Sequence, residues 1–299
     1  MSGQHNSLMD LRHCTLAQLI EAGNEYLEQH QLVYGHGTDN PFDESAWLAL
    51  EACGLSPAVP LDDYDIPVAA NQLKRARSWF KKRAIDNIPV AYLTGRSWFA
   101  GHEFITDERA LIPRSPIAEL IAHGFEPWLS GPPDSVLDLC CGGGCIAIAT
   151  ALEFPRAQVH GCDLSADALA LAKLNRDKHK LGERLQLFQG DLFEALPENA
   201  RYDLILSNPP YVDLQDMRSL PAEFKHEPQM GLAAGNDGLD IVDRMLSKAK
   251  QRLTSSGVMI VEVGNSQPAV EKRFADLDLV WLDFQYGGQG VFLVAADSL

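Results

Sequence analysis

The chain has 299 residues, of which 46% are hydrophobic and 22% are charged, and this composition is typical of a globular protein with room for two domains. Its formal net charge of −16 comes from 41 acidic and 25 basic residues. Such a surface repels a phosphate backbone, which argues against a general nucleic-acid-binding protein, and it would attract a basic protein partner.

Targeting signals are missing from the sequence pattern. No apolar run reaches the roughly 18 residues that cross a bilayer, and the start, from Met1 to Asn6, lacks the pattern of a signal peptide. The six cysteines have neither zinc-site spacing nor the regular framework of a disulfide-rich protein. We therefore predict a cytoplasmic protein without a metal site.

Helical spacing of apolar residues dominates the first part of the chain, from about Leu16 to Arg83. We predict a small helical domain over residues 1–86. Its last helix carries the basic segment KRARSWFKKR, Lys74 to Arg83. This segment is either the solvated face of an amphipathic helix whose aromatic residues pack inward, or a docking patch for RNA or an acidic surface.

Residues 87–112 contain short aromatic and β-branched pieces separated by glycines, which predicts a hairpin linker. From residue 113 to 299, strand and helix signals alternate. The clearest strand signals are SVLDLC, QVHGCD, LQLFQGD, YDLILSN, GVMIVEV and GVFLVAA. This alternation predicts an α/β domain with a doubly wound, mostly parallel sheet, whose ligand lies beyond the carboxyl ends of the strands.

The first of these strands ends in a glycine-rich loop, DLCCGGG, from Asp138 to Gly144. Glycine between a strand and a helix lets the backbone turn tightly and approach a ligand, so the loop favours nucleotide-type binding. Packing alone also produces such turns. The loop lacks the third glycine of the dinucleotide pattern, which argues against a dehydrogenase. The candidate ligand-binding residues in this loop are Asp138, Cys140, Cys141, Gly142, Gly143 and Gly144.

Acidic residues end the next two strands. Asp163 stands where these folds bind ribose hydroxyl groups, although it could also be an ordinary acid in a turn. Asp191 could bind an adenine amino group while Leu192 packs on its ring, or Asp191 could simply form a turn. A loop and two acids at successive strand ends predict an adenosine ligand.

The fourth strand ends in Asn208-Pro209-Pro210-Tyr211. Two prolines stop a strand, and a plain turn would explain that much. Methyl transfer from a sulfonium to a planar nitrogen explains all four residues. The Asn208 side-chain carbonyl and the Pro209 carbonyl can accept the two N–H groups, Pro210 helps to fix the backbone, and Tyr211 offers a flat face for stacking. The motif does not distinguish an adenine from a glutamine amide.

The sequence resembles the S-adenosylmethionine-dependent protein glutamine N-methyltransferases of the HemK/PrmC and PrmB type along nearly its whole length. The matching stretches include YLTGRSWFAGHEF, VLDLCCGGGCIAIA, DLILSNPPYV, HEPQMGLAAGNDGLD and GVMIVEVGNSQ. The resemblance implies a Rossmann-like, seven-stranded methyltransferase domain after a helical substrate-recognition domain and a β-hairpin. It also implies that residues 208–211 bind the glutamine, while Cys140–Gly144, Asp163, Asp191, Leu192 and Asn208 hold the cofactor.

One segment separates the branches of that family. Release-factor methylating members resemble PRPETE after the linker, whereas this chain has PRSPIAEL, Pro113 to Leu120. The segment is similar to the branch that methylates a glutamine of the large-subunit ribosomal protein L-three. The acidic charge suits such a strongly basic substrate, either free or in an assembling ribosomal subunit.

Three other functions stay open at this point. A release-factor glutamine methyltransferase would use the same chemistry. A DNA or RNA adenine-N6 methyltransferase shares the four-residue motif, but only the Lys74–Arg83 segment favours it. A catalytically idle assembly factor would not need the complete motif.

Several other polar or aromatic residues have structural interpretations. We expect Arg114 and Glu119 to form salt bridges or caps, His226 and Glu227 to lie in a loop near the substrate cleft, and Glu262 to shape the sheet edge. Phe99 and Phe104 are expected to pack rather than to stack on adenine.

Overall fold

The computed structural model describes residues 7–55, 64–235 and 238–299. The chain forms two compact units, one of Met1–Arg96 with Pro221–His226 and one of Ser97–Leu220 with Glu227–Leu299. The start of the chain, Met1 to Asn6, and the pair Asn236 and Asp237 lie outside the described residues. The domain boundaries at residues 86 and 112 stay predictions. None of the described helices is long and apolar enough to cross a membrane.

The described part of the first unit contains the α-helices α1 (Leu16–Glu28), α2 (Pro41–Cys53), α3 (Ala70–Asp86) and α4 (Val90–Thr94). Side chains define the starts of two of them. The Thr15 hydroxyl accepts a hydrogen bond from the Gln18 amide, and the Asn40 side chain accepts one from the Asp43 amide. The apolar faces then pack together so closely that a Cβ at Gly23 would lie 2.3 Å from the Phe80 ring.

The basic segment of α3 is largely structural. Phe80 is fully buried and Trp79 is half-buried, as the amphipathic interpretation predicts. The Arg75 and Arg77 side chains donate to the backbone carbonyls of Ala52 and Leu8 at 2.9 and 3.0 Å. Lys74, Lys81 and Lys82 remain exposed.

Arg83 fits neither interpretation of the basic segment, a solvated helix face or a docking patch. It is only 1% exposed and forms ion pairs with Glu44 at 2.7 Å and with Glu223 at 3.1 Å. Its guanidinium also donates to the Val33 carbonyl. Assigning Arg83 to a docking patch is therefore wrong, because carboxylates and a carbonyl within the first unit already occupy its donors.

A two-stranded hairpin of β1 (Arg96–Phe99) and β2 (His102–Ile105) follows the helices. The predicted packing role of two aromatic residues is confirmed, because Phe99 and Phe104 are both buried and their rings lie 6.4 Å apart. The short helix α5 (Ile117–Ala122) then leads into the main sheet.

The main sheet has seven strands in the order β5-β4-β3-β6-β7-β9-β8. The strands are β3 (Ser135–Leu139), β4 (Gln158–Asp163), β5 (Leu185–Gln189), β6 (Tyr202–Ser207), β7 (Leu253–Glu262), β8 (Val280–Trp281) and β9 (Val291–Ala295). The helices between or after them are α6 (Cys145–Glu153), α7 (Ala166–Lys178), α8 (Leu214–Ser219), α9 (Asp240–Arg252) and α10 (Gln267–Arg273). Short 3₁₀ helices occupy Leu192–Ala195, Ala222–His226, Gln229–Gly231, Gly264–Ser266 and Ala296–Ser298.

Five strands of the sheet, β5, β4, β3, β6 and β7, pair in parallel, whereas β9 runs antiparallel to β7 and to β8. Two apolar clusters cover the sheet. Val136 and Leu204 belong to one cluster, and their chain neighbours Leu137 and Ile205 belong to the other, as expected when successive side chains point to opposite faces. The predicted Rossmann-like fold is confirmed. The chain adds β4 and β5 on one side of β3 and then β6 and β7 on its other side, and this switch in strand order opens a crevice at the carboxyl edge of the sheet.

Candidate functional site

A cavity of about 250 Å³ lies within the second unit. The strand register brings its wall together, because Leu139 at the end of β3 pairs with Cys162 on one side and with Ser207 on the other. Three chain segments that follow these strands therefore meet at the same edge of the sheet. The cavity occupies the position where ligands bind in open α/β folds.

Most of the residues predicted from the sequence line this cavity. They are Cys140, Cys141, Gly142, Gly143, Asp163, Asp191, Leu192, Asn208, Pro210 and Tyr211. Three others do not line it, namely Asp138, Gly144 and Pro209. Asp138 is fully buried and Pro209 is buried. These three can act on a ligand only through the backbone or by supporting their neighbours.

The glycine-rich loop owes its shape to left-handed backbone conformations. Cys140, Gly142 and Gly144 have φ values of 59°, 53° and 81°. Gly144 then begins α6, and its amide donates to the Cys141 carbonyl at 2.8 Å. Cys140 is a non-glycine residue in the left-handed region, and such strain is concentrated at functional sites.

Asp163, at the end of β4, orders the loop. Its Oδ2 accepts a hydrogen bond from the Gly142 amide at 2.8 Å, and its Oδ1 accepts one from the Ser165 amide at 2.8 Å. Burial raises the pKa of this carboxyl, and the backbone hydrogen bonds oppose that rise. Each carboxylate oxygen has a second lone pair, so Asp163 can also accept hydrogen bonds from hydroxyl groups of a ligand in the cavity.

Asp191 and Leu192 follow β5 at the adjacent wall. Asp191 forms a salt bridge of 2.7 Å with Arg244 of α9, and both of these side chains are partly exposed. Leu192 has a left-handed φ of 51° and is buried. An apolar side chain beside a polar pair suits a flat heterocycle with a polar edge. Arg244 was not predicted from the sequence as a residue of this wall.

The Asn-Pro-Pro-Tyr motif begins directly after β6. Ser207, the last residue of β6, is fully buried and its hydroxyl donates to the Leu139 carbonyl at 2.7 Å. Asn208 is half-buried and lines the cavity. The neighbouring strand thus fixes the point from which the Asn208 carboxamide projects.

Tyr211 is held at several points. Its hydroxyl donates to Oε1 of Glu262 at 3.3 Å, and its backbone carbonyl accepts from the Ser266 hydroxyl at 2.8 Å. Burial and the adjacent Glu262 carboxylate raise the pKa of the Tyr211 hydroxyl. Tyr211 therefore stays a neutral phenol with an oriented ring.

Arg114 lines the cavity and forms an ion pair of 2.8 Å with Glu227, whose side chain is fully buried. Glu227 also accepts from the Ile112 amide. The salt-bridge role predicted for Arg114 is therefore confirmed. Glu119 instead accepts hydrogen bonds from the backbone amides of Gln285 and Tyr286. A ring nitrogen of His226 forms a hydrogen bond with the Asp86 carbonyl in the first unit.

Sequence reasoning missed two supporting residues. Asn175 of α7 is 1% exposed and donates to the carbonyls of Gly143 and Ile105, which joins the glycine-rich loop to the hairpin. Ser115 is buried beside Glu262. The only sign in the sequence that Asn175 is buried was its place among the apolar residues of one face of α7.

The cysteine side chains of the glycine-rich loop and of the start of α6 are buried or half-buried. Burial raises the pKa values of Cys140, Cys141 and Cys145 far above the usual thiol range, so these thiols are neutral. Across residues 7–55, 64–235 and 238–299, no group of three or more His, Cys, Asp or Glu side chains could hold a metal ion.

Known proteins resemble this chain in sequence and in fold. The family model described as "Methyltransferase small domain" matches residues 123–227. A ribosomal protein uL3 glutamine methyltransferase from Burkholderia pseudomallei is 44% identical over 294 residues, which are 95% of each chain. A protein of the same name from Bordetella pertussis is 42% identical over 299 residues and 99% of each chain.

Among solved structures, the catalytic domain of hMettl16 in complex with an MAT2A 3′UTR hairpin has a TM-score of 0.52. The match covers 84% of this chain and 89% of that one, at 15% sequence identity. At this identity the likeness concerns the fold alone.

Proposed function

The chain belongs to the family of ribosomal protein uL3 glutamine methyltransferases, and on that premise we propose that it methylates the side-chain amide nitrogen of a glutamine in ribosomal protein uL3. The observation that carries the proposal is the cavity in which Asn208 and Tyr211 meet Asp163 and the glycine-rich loop. These groups match the two halves of the reaction, an adenosine cofactor and a planar amide.

The residues around the glycine-rich loop suit S-adenosylmethionine, which when bound supplies an electrophilic methyl group on a sulfonium. The Cys140–Gly143 backbone would hold the amino acid part of the cofactor. Asp163 would accept hydrogen bonds from the ribose, and Asp191 and Leu192 would contact the adenine. Asp138 and Gly144 support this loop through hydrogen bonds to the Ala147 amide and the Cys141 carbonyl.

Asn208 and Pro209 bind the substrate amide in this proposal. The Asn208 side-chain oxygen and the Pro209 carbonyl each accept one N–H of the glutamine, which orients the nitrogen lone pair and stabilises the positive charge that develops on it. Pro210 restricts the backbone that carries these acceptors. Tyr211 stacks on the amide plane, and the extra proton leaves to water after transfer.

The protein partner follows from charge as well as family. A net charge of −16 favours association with a basic ribosomal protein, either free or in an assembling subunit in the cytoplasm. Contact with ribosomal RNA would rest on Lys74, Lys81 and Lys82, because Arg83 is buried.

The test is incubation of the purified chain with methyl-labelled S-adenosylmethionine and, in separate reactions, uL3, ribosomal subunits, release factors and DNA. We expect label on uL3, and peptide mass spectrometry should locate it on a glutamine amide. Label on a release factor alone would keep the chemistry but refute the substrate, and label on DNA alone would refute both.

A further inference from the structure

We propose that Glu262 is a positioning residue that fixes the ring of Tyr211 for stacking on the substrate amide, and that Ser115 in turn orients Glu262. This inference rests on the proposed function, because it assigns a purpose to the Tyr211 orientation in that reaction. It adds two residues to the site, and neither belongs to the glycine-rich loop or to the Asn-Pro-Pro-Tyr motif.

The strand register brings Glu262 to Tyr211. Val261 of β7 pairs with Ser207 of β6, so Glu262 lies at the strand end beside the motif. Its side chain lines the cavity and is only 6% exposed. A buried carboxylate needs hydrogen-bond donors, and the Tyr211 hydroxyl supplies one at 3.3 Å.

The second donor to Glu262 is Ser115. Its hydroxyl donates to Oε2 at 2.5 Å, the short distance of a charge-assisted bond. The Ser115 oxygen also accepts from the Ile117 amide at 3.2 Å, at the start of α5. Because the backbone of α5 fixes Ser115, the carboxylate is held from one side while Tyr211 bonds to the other.

The turn after β7 fixes the rest of Tyr211. A Cβ at Gly264 would lie 2.6 Å from Cε2 of the Tyr211 ring, so only glycine lets the ring approach this closely. The Ser266 hydroxyl bonds to the Tyr211 carbonyl. Glu262, Gly264 and Ser266 therefore contact the hydroxyl, the ring and the backbone of one tyrosine.

Two hydrogen bonds to Glu262 oppose the effect of its burial. Burial raises the pKa of this carboxyl, and the bonds from Ser115 and Tyr211 lower it, as does the charge of Arg114. The same bonds remove rotational freedom from the phenol. A misplaced flat face would leave the amide nitrogen out of line with the methyl group, which lowers kcat more than binding.

A double-mutant cycle tests the link between the two residues. Glu262→Ala and Tyr211→Phe should each lower kcat by about 10- to 100-fold, with much smaller changes in KM for uL3 and in the Kd for S-adenosylmethionine. The double variant should be no slower than the slower single variant, because both remove the same contact. Independent, multiplying losses would overturn the proposal.

Two conservative variants separate position from charge. Glu262→Gln keeps an oxygen that can accept from Tyr211 and an amide that can donate to Ser115, so it should recover most of the kcat lost in Glu262→Ala. If it is as slow as the alanine variant, the negative charge acts and the positioning role is refuted. Ser115→Ala should lower kcat in the same direction by a smaller factor, and an unchanged kcat would remove Ser115 from the proposal.

The matched control is Glu271→Ala, which removes an exposed carboxylate of α10 and should leave kcat unchanged. If the wild-type chain itself does not methylate uL3, the proposed function fails before this cycle is reached. If the wild-type chain is active and both Glu262→Ala and Tyr211→Phe keep its kcat, the positioning role alone fails.

Discussion

At the scale of single residues, two aspartates on neighbouring strands have different environments. Asp138 of β3 is completely buried, and only its Oδ2 accepts a hydrogen bond, from the Ala147 amide at 2.9 Å. Its Oδ1 has no partner among the described residues. Asp163 uses both oxygens and lines the cavity. Asp138 therefore supports the loop as a neutral acid, whereas Asp163 is available to a ligand.

Asp138→Asn should change how stability depends on pH. Burial raises the pKa of Asp138 from 3.8 to about 8, so between these values the folded chain holds a proton that the unfolded chain has released. The contribution of Asp138 to stability is therefore greatest below pH 3.8 and is lost as pH rises towards about 8. Urea unfolding should show wild type losing stability relative to Asp138→Asn over this interval. A difference that is constant with pH would contradict the assignment.

Asn208→Ala should abolish methyl transfer while changing cofactor affinity much less. The substitution removes the carboxamide oxygen that accepts an amide N–H in the proposed reaction, and it leaves the glycine-rich loop intact. Single-turnover labelling of uL3 and calorimetric titration with S-adenosylmethionine would measure the two effects. Asn199→Ala, an exposed site before β6, is the control. Normal turnover of Asn208→Ala would refute its role.

At the scale of elements, local signals account for most starts and ends. Ser165 is the N-cap of α7, and its hydroxyl accepts a hydrogen bond from the Ala168 amide at 3.2 Å. Asp167 lies in the first turn of that helix, where a negative charge is favourable. By contrast, β8 was not predicted, because two residues paired only with β9 leave no periodic pattern in the sequence.

Ser165→Ala should lower the free energy of unfolding by about 1 kcal/mol, because α7 loses its N-terminal side-chain cap. The effect belongs to the element and should appear in urea unfolding without any cofactor. Ser247→Ala, at an exposed position within α9, is the control and should cause no loss. Equal stabilities of Ser165→Ala and wild type would show that the cap is dispensable.

At the scale of the whole molecule, the first unit includes a short segment that lies far away in the sequence. Residues 221–226 come after the Asn-Pro-Pro-Tyr motif in sequence but belong to the helical first unit. Glu223 from that segment and Glu44 from α2 both pair with the buried Arg83 of α3. The two carboxylates and the Val33 carbonyl pair with the Arg83 guanidinium, which unpaired in a buried position would strongly destabilise the fold.

Arg83→Met should destabilise the first unit by about 3–5 kcal/mol, because two buried carboxylates lose their partner. Hydrogen exchange would locate the effect, with faster exchange in α1 to α3 and little change in β3 to β6. Lys82→Met, one residue earlier and exposed, should change exchange little. Equal protection in the Arg83→Met and Lys82→Met chains would contradict a structural role for this ion-pair network.

By itself the sequence determined the fold class and the methyltransferase chemistry. These depend on local patterns, namely strand and helix periodicity, the loop from Asp138 to Gly144, and the motif of residues 208–211, which need no knowledge of distant contacts. The parallel direction of neighbouring strands then followed from the alternation of strands and helices.

Only the tertiary structure decided which polar groups are already engaged. In sequence, Arg83 looks like its exposed basic neighbours, although it is buried. Nothing near Asp191 predicts its ion pair with Arg244. The sequence also does not show that Ser115 and Tyr211 both bond to Glu262. The physical reason is that burial and hydrogen-bond partners depend on residues far apart in the chain. Their proximity arises only when the sheet edge and the helices bring those residues together.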